Sequence, residues 1–432
     1  MPGYNSLRHT LVLIGVLVGL SINGSEPAPA TGEPDKATKP TAHADVQIGR
    51  HDIRDGYEKT SFVTQTQSLT ERASRSANLS ALIRSPPLGL TSVHQPPSDK
   101  LIDLGRRLFF ERRLSANDTL SCGMCHIPEQ AFTQNELATP VGIEGSLVLR
   151  NAPSLYNVAY RKTLFHDGRE TSLEEQVWAP LLAANEMGNS SRERVLEKVT
   201  AIDGYSQAFN GAFTEGLTAA TLGAALAAYQ RALLSANSAF DRWYYGGEMA
   251  ALSAVAKRGF RLFDEHGCAA CHHFERQSAQ FTDDEFHNTG IGFASELRDR
   301  RQPETIQLAP GVFVPFNAEI DLPDRHDYGR QTITGNAGDK WRFRTPSLRN
   351  VALTGPYMHD GSLNSLEAVL AFYNRGGSGD PGADERIKPL NLNKLDQQAL
   401  LEFLHSLTSD NVDALAADAR SAPVGDRQQE LQ

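Results

Sequence analysis

Cys122-Gly123-Met124-Cys125-His126 and Cys268-Ala269-Ala270-Cys271-His272 have the same spacing, and the rest of the chain surrounds these two copies of one motif. Two cysteines three positions apart can form thioethers to the vinyl groups of a haem, and the adjacent His then reaches the iron. Zinc knuckles and redox dithiols use the same spacing. Because the two copies contain all four cysteines of the chain, no thiol is left for a separate zinc site or disulfide. The motifs therefore predict two covalently bound haem c groups, held by Cys122, Cys125, His126, Cys268, Cys271 and His272.

Length and composition predict two domains of ordinary size. With 432 residues, 40% of them hydrophobic, the chain can bury two cores and still leave tails. A net charge of -10 disfavours nucleic acid or an anionic membrane surface as partner, and it suits a small neutral oxidant or a basic redox protein. The predicted fold class is all-α, with two cytochrome c-like haem domains packed together and long irregular loops.

The N-terminus has the parts of a secretory signal. Arg8 and His9 precede the apolar run from Leu11 to Leu20, and polar residues follow it. The run is short for a membrane span, although an uncleaved anchor is the alternative because no clean small-x-small cleavage site is visible. We predict a signal peptide at 1–24 and a disordered linker at 25–75. Export fits haem c, which is attached outside the cytoplasm in bacteria, so we expect a periplasmic protein.

Apolar periodicity predicts a helix before each motif. Asp103 to Phe110 and Ala256 to Phe263 both contain the sequence Gly-x-x-Leu-Phe. We expect each Gly to allow close approach to a haem edge, with the large apolar residues against the ring. The other predicted helical segments are one capped at Ser172, with Pro180 bending or interrupting it, a stripe from Leu222 to Leu233, and two closing helices at Asn364 to Tyr373 and Leu395 to Leu407.

Turn residues and composition predict the domain boundaries. Gly246-Gly247 separates an N-terminal cytochrome c domain at 76–246 from a C-terminal one at 247–410. Residues 275–343 are rich in Gly, Asp and Pro, so we expect long irregular structure there. The polar residues 411–432 are predicted to be a flexible tail.

The sixth coordination position of each iron separates an electron carrier from an enzyme. An iron with strong ligands on both faces passes electrons, whereas an iron with an open face can bind peroxide. Residues 127–165, which follow the first motif, contain no His and no Met. We therefore expect the first iron to keep an open face.

Longer motifs follow each CxxCH. The N-terminal half contains Asn151-Ala152-Pro153-Ser154-Leu155-Tyr156-Asn157-Val158, Phe165-His166-Asp167-Gly168-Arg169, Leu173-Glu174-Glu175-Gln176, Pro180 and Asn185-Glu186-Met187. The C-terminal half contains Phe286-His287-Asn288-Thr289-Gly290, Thr345-Pro346-Ser347-Leu348-Arg349-Asn350-Val351 and Leu353-Thr354-Gly355-Pro356-Tyr357-Met358-His359-Asp360-Gly361. In this order the motifs resemble those of the bacterial dihaem cytochrome c peroxidase and MauG family, from about Asp103 to Leu407.

The resemblance implies that the first haem reacts with peroxide. Glu186 falls on the family's distal glutamate, with Gln176 beside it. A carboxylate over the iron can take a proton from one oxygen of H2O2 and return it to the other, so that water leaves. Considered without the motif, Glu186 would be a solvated charge at a helix end.

For the second haem, the family places the sixth ligand on the helix after the His-Asp-Gly turn, where this chain has Tyr373. Cytochrome c peroxidases have Met at that position, and MauG has Tyr. A phenolate stabilises oxidised iron, whereas a thioether favours reduced iron. Met358 is the reserve ligand. The alternatives are a core tyrosine and a methionine that only packs.

Two other positions depart from the peroxidases of the family. These enzymes often hold a distal His on the first haem until the other haem is reduced, and this chain lacks it, so we expect readiness for peroxide without a reductive switch. His166 replaces the family's tryptophan between the haems. Because a His is harder to oxidise, this argues against charge sharing there, and both a hydrogen-bonding bridge and a plain interface histidine stay open.

The resemblance also implies a calcium ion between the domains. Its ligands would be the Asn151 side chain and the backbone carbonyls of Thr354 and Pro356, with water completing the shell. Oxygen ligands suit this hard cation. Without the resemblance, these three would be taken for turn residues.

The leading functional hypothesis is a periplasmic peroxidase-type enzyme that uses H2O2. Its electron donor would be a small cytochrome or cupredoxin, or a side chain of a protein substrate as in MauG, and Tyr373 favours the second. The alternative is a non-catalytic dihaem electron-transfer protein with two six-coordinate, low-spin irons. Metal binding at both CxxCH motifs is a third reading. The sequence leaves open whether the chain forms a homodimer, as many relatives do.

Overall fold

The fold is described from a computed structural model. It covers residues 76–301, 304–309, 312–316 and 327–422, with side chains described for 76–297 and 327–422. The predicted signal peptide at 1–24, the linker at 25–75 and the last ten residues of the tail lie outside these ranges. We call 76–246 the N-terminal half and 247–422 the C-terminal half.

The N-terminal half is built from helices. In chain order these are α1 (Leu79–Arg84), α2 (Asp99–Phe109), α3 (Cys122–Cys125), α4 (Leu173–Gln176), α5 (Trp178–Leu182), α6 (Arg192–Ala201), α7 (Tyr205–Ala212), α8 (Ala219–Ala232) and α9 (Ala239–Tyr244). The Ser172 hydroxyl accepts a bond from the Glu175 N–H and caps α4, as predicted. The interruption falls at Val177, between α4 and α5. Pro180 instead lies in the first turn of α5, where a proline breaks no helical hydrogen bond.

The C-terminal half combines helices with short strands. Its helices are α10 (Ala254–Glu265), α11 (Ile291–Arg301), α12 (Gln331–Thr334), α13 (Leu366–Asn374), α14 (Lys394–His405) and α15 (Val412–Arg420). Its strands are β1 (Phe286–Asn288), β2 (Glu304–Ala309), β3 (Val312–Phe316) and β4 (Arg342–Arg344). The two predicted closing helices correspond to α13 and α14. Within the described ranges, none of the helices is both long and apolar enough to cross a membrane.

Two small sheets correct the all-α prediction. β1 pairs antiparallel with β4, with His287 opposite Phe343, and β2 pairs antiparallel with β3. Apart from Arg344 at the end of β4, both sheets lie in 275–343, where we expected irregular structure, and so do the helices α11 and α12. Strands as short as β1 and β4 cannot show the alternation that predicts a strand. The fold is therefore predominantly helical, with two two-stranded sheets.

The C-terminal segment corrects the predicted flexible tail. α15 begins directly after residue 411, and its Leu415 and Ala419 are buried in the core of the N-terminal half. Asp418 on the same helix forms an ion pair with Arg106 at 3.2 Å. Leu415 and Ala419 are four positions apart and so lie on one helix face.

Each half has its own hydrophobic core. Two helices pack against each other in each core: α2 with α8 in the N-terminal half, and α10 with α14 in the C-terminal half. The largest fully buried members are Phe109, Phe132, Phe209 and Tyr229 in the N-terminal core and Phe240, Phe281 and Phe403 in the C-terminal core. Phe240 of α9 precedes the predicted boundary at Gly246 but packs in the second core. Since α15 follows the second core and packs in the first, the chain crosses between the two cores more than once.

In each core, a glycine lies where two helix backbones contact each other. A Cβ at Gly105 of α2 would overlap the carbonyl oxygen of Ala225 in α8, and one at Gly259 of α10 would overlap that of Ala399 in α14. The glycine of each Gly-x-x-Leu-Phe sequence therefore lets two helix backbones touch. This differs from the expectation that the glycine approaches a haem edge.

We expect Gly105→Ala to lower the free energy of unfolding by about 1–3 kcal/mol, because the new methyl group pushes α2 away from α8. A matched control is Gly211→Ala in α7, where a Cβ meets no atom within 4 Å. That change should raise stability by about 0.5–1 kcal/mol, since it removes backbone freedom from the unfolded chain. Denaturant titration of both holoproteins measures the difference. Equal effects of the two changes would contradict the close contact.

Candidate active site

The first CxxCH motif forms the short helix α3. Cys122 and Cys125 are free thiols. Nδ1 of His126 lies 3.0 Å from the carbonyl oxygen of Phe132, and burial lowers the pKa of His126. A neutral ring that donates from Nδ1 keeps Nε2 for a metal. The left-handed Ala131 (φ 58) and Phe132 (φ 54) turn the chain so that this carbonyl meets the ring.

The second motif repeats this arrangement. Cys268 and Cys271 are free thiols, and Nδ1 of His272 lies 2.9 Å from the carbonyl oxygen of Phe281. Phe281 is also left-handed, with φ 51, and burial lowers the pKa of His272. Each motif thus presents two thiols and a neutral imidazole, which is the donor set that attachment of haem c requires. The residues fit two such groups.

A longer internal repeat holds the two His-binding carbonyls, and the sequence analysis did not identify it as a repeat. Its copies are Pro153-Ser154-Leu155 and Pro346-Ser347-Leu348. The Ser154 hydroxyl donates to the carbonyl of Ala131 at 2.6 Å, and the Ser347 hydroxyl to that of Gln280 at 2.7 Å. In both halves this acceptor directly precedes the phenylalanine that holds the histidine. The feature of the sequence that could have revealed these two phenylalanines is the Phe-Thr pair that follows each CxxCH.

The repeat continues at constant offset through the turn and helix that follow. Asn157 and Asn350 both have φ 60, and Ser172 and Ser365 cap α4 and α13 in the same way. Counted from the two asparagines, Pro180 occupies the place in the N-terminal half that Tyr373 occupies in the C-terminal half. A proline side chain carries no atom that can bind a metal. The two halves therefore differ at this one chemically decisive position.

Tyr373 lies in the last turn of α13, close to the second motif. Burial and the neighbouring thiols of Cys268 and Cys271 raise the pKa of Tyr373. Met358 lies in the preceding turn with φ 75, where its carbonyl accepts a bond from the Gly361 N–H at 3.3 Å. Tyr373 thus lies near the sulfurs that would carry the second haem.

Glu186 lies in the loop after α5, near the first motif. Its carbonyl accepts a bond from the Ile143 N–H at 2.8 Å, which holds the loop in place. Burial raises the pKa of Glu186, and the charge of Arg169 opposes this shift. Burial raises the pKa of Cys125 to about 11, with Glu186 as the second cause. The carboxyl group therefore lies close to the sulfurs that would carry the first haem.

Gln176 is the last residue of α4 and is partly buried. Within the described ranges, its side chain has no hydrogen bond to Glu186 or to any other residue. Arg169 lies over the ring of Phe165, 3.4 Å from its centroid, and donates to Asp167 at 2.9 Å. The structure thus brings Arg169, which sequence reasoning did not single out, towards Glu186.

His166 lies where the two halves meet. Its Nε2 is 2.9 Å from the carbonyl oxygen of Asn151, and its own carbonyl accepts a bond from the Arg344 N–H at 2.7 Å. Burial lowers the pKa of His166 to about 3, so the ring is neutral. His359, at the same place in the internal repeat, stacks on Phe343 with 3.6 Å between ring centroids. His166 is therefore a hydrogen-bonded residue that connects both halves.

Of the predicted calcium ligands, Asn151 lies beside His166. The Asn151 side chain is 7% exposed and donates from Nδ2 to the carbonyl of Ala138 at 2.9 Å. Its Oδ1 has no hydrogen-bond donor within the described ranges, which fits a cation ligand. Thr354 and Pro356 would contribute only backbone carbonyls.

His287 lies between two carboxylates near the second motif. Nε2 is 2.9 Å from Asp283 and Nδ1 is 2.8 Å from Asp384. The thiol of Cys271, followed by these carboxylates, raises the pKa of His287 to about 9. Cys271, Asp283 and His287 also form a group with ligand atoms within 4.8 Å of one another. Because Cys271 belongs to CxxCH and would form a thioether, its sulfur is not available to a separate metal at this group.

Two helical cores, each carrying one haem-attachment motif and a histidine held for iron, define a dihaem protein. Residues 99–249 match the family model described as di-haem cytochrome c peroxidase. The chain is 36% identical over 326 residues to the methylamine utilization protein MauG of Methylorubrum extorquens. The matched residues cover 74% of this chain and 82% of that protein. The chain therefore belongs to the dihaem cytochrome c peroxidase and MauG family, and it is a haem oxidoreductase.

Two further comparisons agree. The cytochrome-c peroxidase IdrP1 of Denitromonas iodatirespirans is 36% identical over 331 residues, covering 75% of this chain and 85% of that protein. A crystal structure of a MauG-like protein associated with microbial copper homeostasis has a TM-score of 0.62 and 32% identity, covering 77% of this chain and 96% of that chain. The fold of this chain is thus that of a dihaem, MauG-like protein.

Proposed function

We propose that this protein is a periplasmic dihaem c-type peroxidase in which H2O2 reacts at the N-terminal haem. The observation that carries the proposal is the pair Pro180 and Tyr373 at equivalent places of the internal repeat. With haem bound, Pro180 would offer no ligand atom to the first iron, whereas the phenol oxygen of Tyr373 would be available to the second. When bound, the two haems supply the redox chemistry that reduces H2O2 to water with two electrons. His126 and His272 would hold the irons, and the four cysteines would form the thioethers.

Glu186 handles protons at the open site. Its carboxylate takes a proton from one peroxide oxygen and returns it to the other, which then leaves as water. Its loop is anchored by the bond from Ile143, and Arg169 supplies a nearby positive charge. Gln176 is free to donate a hydrogen bond to the bound oxidant, since its side chain has no partner within the described ranges.

The rate of the peroxide reaction should rise with pH through a pKa above the ordinary glutamate value. Glu186 acts first as a base, so its deprotonated form is the active one, and burial raises its pKa. Stopped-flow absorbance across pH gives the second-order rate constant and so measures this rise. If the rate constant of Glu186→Gln rose with pH in the same way, the titrating group would be another residue.

The electrons would come from a small cytochrome, a cupredoxin or a protein substrate, and the haem held by the C-terminal half would receive them. Tyr373 favours the protein substrate, as in MauG, because a phenolate stabilises oxidised iron. Steady-state turnover with reduced cytochrome c and H2O2 tests the choice. Rapid turnover would count against the protein-modifying version.

We expect Tyr373→Met to raise the reduction potential of the second haem, since a thioether favours reduced iron. A spectroelectrochemical titration of the holoprotein measures the shift. Met358→Leu is the matched control and should leave the potential unchanged. If the control moved the potential and Tyr373→Met did not, the ligand would be Met358.

An EPR spectrum of the ferric protein tests the proposal as a whole. We expect one high-spin and one low-spin haem, and a change of the Soret band on adding H2O2. The competing function, a dihaem electron-transfer protein, requires two low-spin irons and no response to peroxide. That result would overturn the peroxidase assignment.

We further propose a calcium ion held by Asn151, Thr354 and Pro356, with His166 as a hydrogen-bonding bridge beside it. The support is the Asn151 Oδ1 atom, which has no hydrogen-bond donor within the described ranges, and the bond between His166 and the Asn151 carbonyl. The apolar run near the N-terminus supports export to the periplasm.

A further inference from the structure

Three charged side chains form a cluster between the two halves: Arg161, Asp284 and Arg344. Their side chains are only 8%, 8% and 10% exposed. Nη1 of Arg161 lies 3.1 Å from Oδ1 of Asp284, and Nη1 of Arg344 lies 3.2 Å from the same oxygen. Two cations thus share one carboxylate. Because an uncompensated charge is costly away from water, the cluster favours a second anion.

The two guanidinium groups keep donors that could bind this anion. Nε of Arg344 donates to the carbonyl of Phe165 at 3.2 Å. Within the described ranges, Nε and Nη2 of Arg161 and Nη2 of Arg344 have no acceptor. A guanidinium presents planar, paired N–H groups that match the two oxygens of a carboxylate. The unused donors therefore suit an oxyanion.

The charge state of the arginines points the same way. Burial lowers the pKa of Arg344 to about 10, and the charge of Arg161 is the second cause. Burial also lowers the pKa of Arg161. Burial thus works against the charge of both arginines, and a second anion would offset this effect.

The cluster belongs to the loop that holds the proximal histidine of the second motif. Phe281, whose carbonyl binds His272, precedes Asp284 by three positions, and Asp284 is left-handed with φ 56. Thr282 donates to the carbonyl of Thr345 at 2.7 Å, next to Arg344 in the chain. The cluster is thus built into the wall of the second haem site.

We infer that Arg161 and Arg344 bind a propionate of the second haem. The inference rests on the proposed function, because it assumes that a haem is attached at Cys268 and Cys271. The shared chemistry is an oxyanion, and inorganic phosphate from solvent is the other source. Arg161 comes from the N-terminal half, so this contact would tie the second haem to the half that carries the first.

The test uses the haem-loaded protein with Arg161→Gln and Arg344→Gln. Resonance Raman reports the propionate bending band, and a redox titration reports the potential of the second haem. We expect both changes to shift the propionate band and lower the potential. Arg258→Gln is the matched control. Arg258 lies on α10 of the C-terminal half, forms an ion pair with Asp396 and has a side chain that is 44% exposed. This change should shift neither.

An unmoved propionate band in both glutamine variants would overturn the inference. A free anion would give a different pattern: the reduction potential of the wild-type protein would depend on phosphate concentration, the glutamine variants would lose this dependence, and the propionate band would stay unmoved. In that case the site binds a free anion, and the propionate assignment is wrong. Peroxide reactivity of the wild-type protein is measured separately. A shifted band without peroxide reactivity would overturn the proposed function alone, and the reverse would overturn this inference alone.

Asp284→Asn keeps the test decisive if the glutamine variants do not fold. Asn tolerates the left-handed backbone at this position, so the change removes the charge without straining the backbone. With a propionate present, the arginines retain an anion, and the melting temperature of the holoprotein should fall little. A large fall would show that Asp284 is their sole counter-ion and would contradict the inference.

Discussion

Glu186→Gln is expected to slow the reaction with H2O2 by about 10²–10⁴-fold, the contribution of a well-placed acid–base group. The amide keeps the size of the side chain and cannot accept the peroxide proton. The bond from the Ile143 N–H to the Glu186 carbonyl is made by the backbone, so the loop should keep its position. Stopped-flow absorbance at the Soret band measures the rate constant.

Glu175→Gln is the matched control for this prediction. Glu175 belongs to α4, with its side chain 50% exposed and paired with Arg192 at 2.7 Å. The same loss of charge there should leave the peroxide reaction unchanged. A normal rate in Glu186→Gln would transfer the proton-handling role to another group, and an equal loss in both variants would indicate a general electrostatic effect.

Arg349→Gln is expected to lower the free energy of unfolding by about 3–5 kcal/mol, because it leaves Asp241 charged and buried without its partner. The two side chains are 2% and 0% exposed, and both guanidinium Nη atoms lie 2.9 Å from the Asp241 carboxylate. Arg349 also donates to the carbonyls of Gly89, at 2.8 Å, and Ala279. One side chain therefore connects both halves.

Denaturant titration of the holoprotein measures this loss. Arg192→Gln removes an exposed ion pair, with side chains 39% and 50% exposed, and should cost about 0–1 kcal/mol. A loss as small for Arg349→Gln as for Arg192→Gln would mean that water reaches Asp241 in solution. A double variant with Asp241→Asn should recover part of the loss, since the unpaired charge is then gone.

Local signals in the sequence predicted the helices well and their packing poorly. The Ser172 cap and the stripes of α13 and α14 were readable because each depends on residues within a few positions. The glycine at 105 was readable as a point of close approach, but its partner is Ala225, far along the chain. The buried face of α15 was missed because Leu415 and Ala419 find their apolar neighbours in the other half.

The candidate site shows the same division. Both CxxCH motifs and the family's Glu186 and Tyr373 follow from short sequence patterns. The Phe132 and Phe281 carbonyls do not, because any residue has a carbonyl and only the left-handed turn places it against a histidine. The charge excess at Arg161 and Arg344 was invisible for another reason: each arginine looks ordinary until folding places both against one carboxylate.

The sequence alone determined the short-range order and predicted two haem-attachment motifs with their histidines, because these motifs and the helices beside them depend on residues that are close in the chain. Tertiary structure alone decided which backbones touch, which carbonyls orient the histidines and where positive charge is left without a counter-ion. The physical reason is that burial and electrostatic pairing depend on distances in space, and the chain brings Arg161, Asp284 and Arg344 together only when both halves have folded.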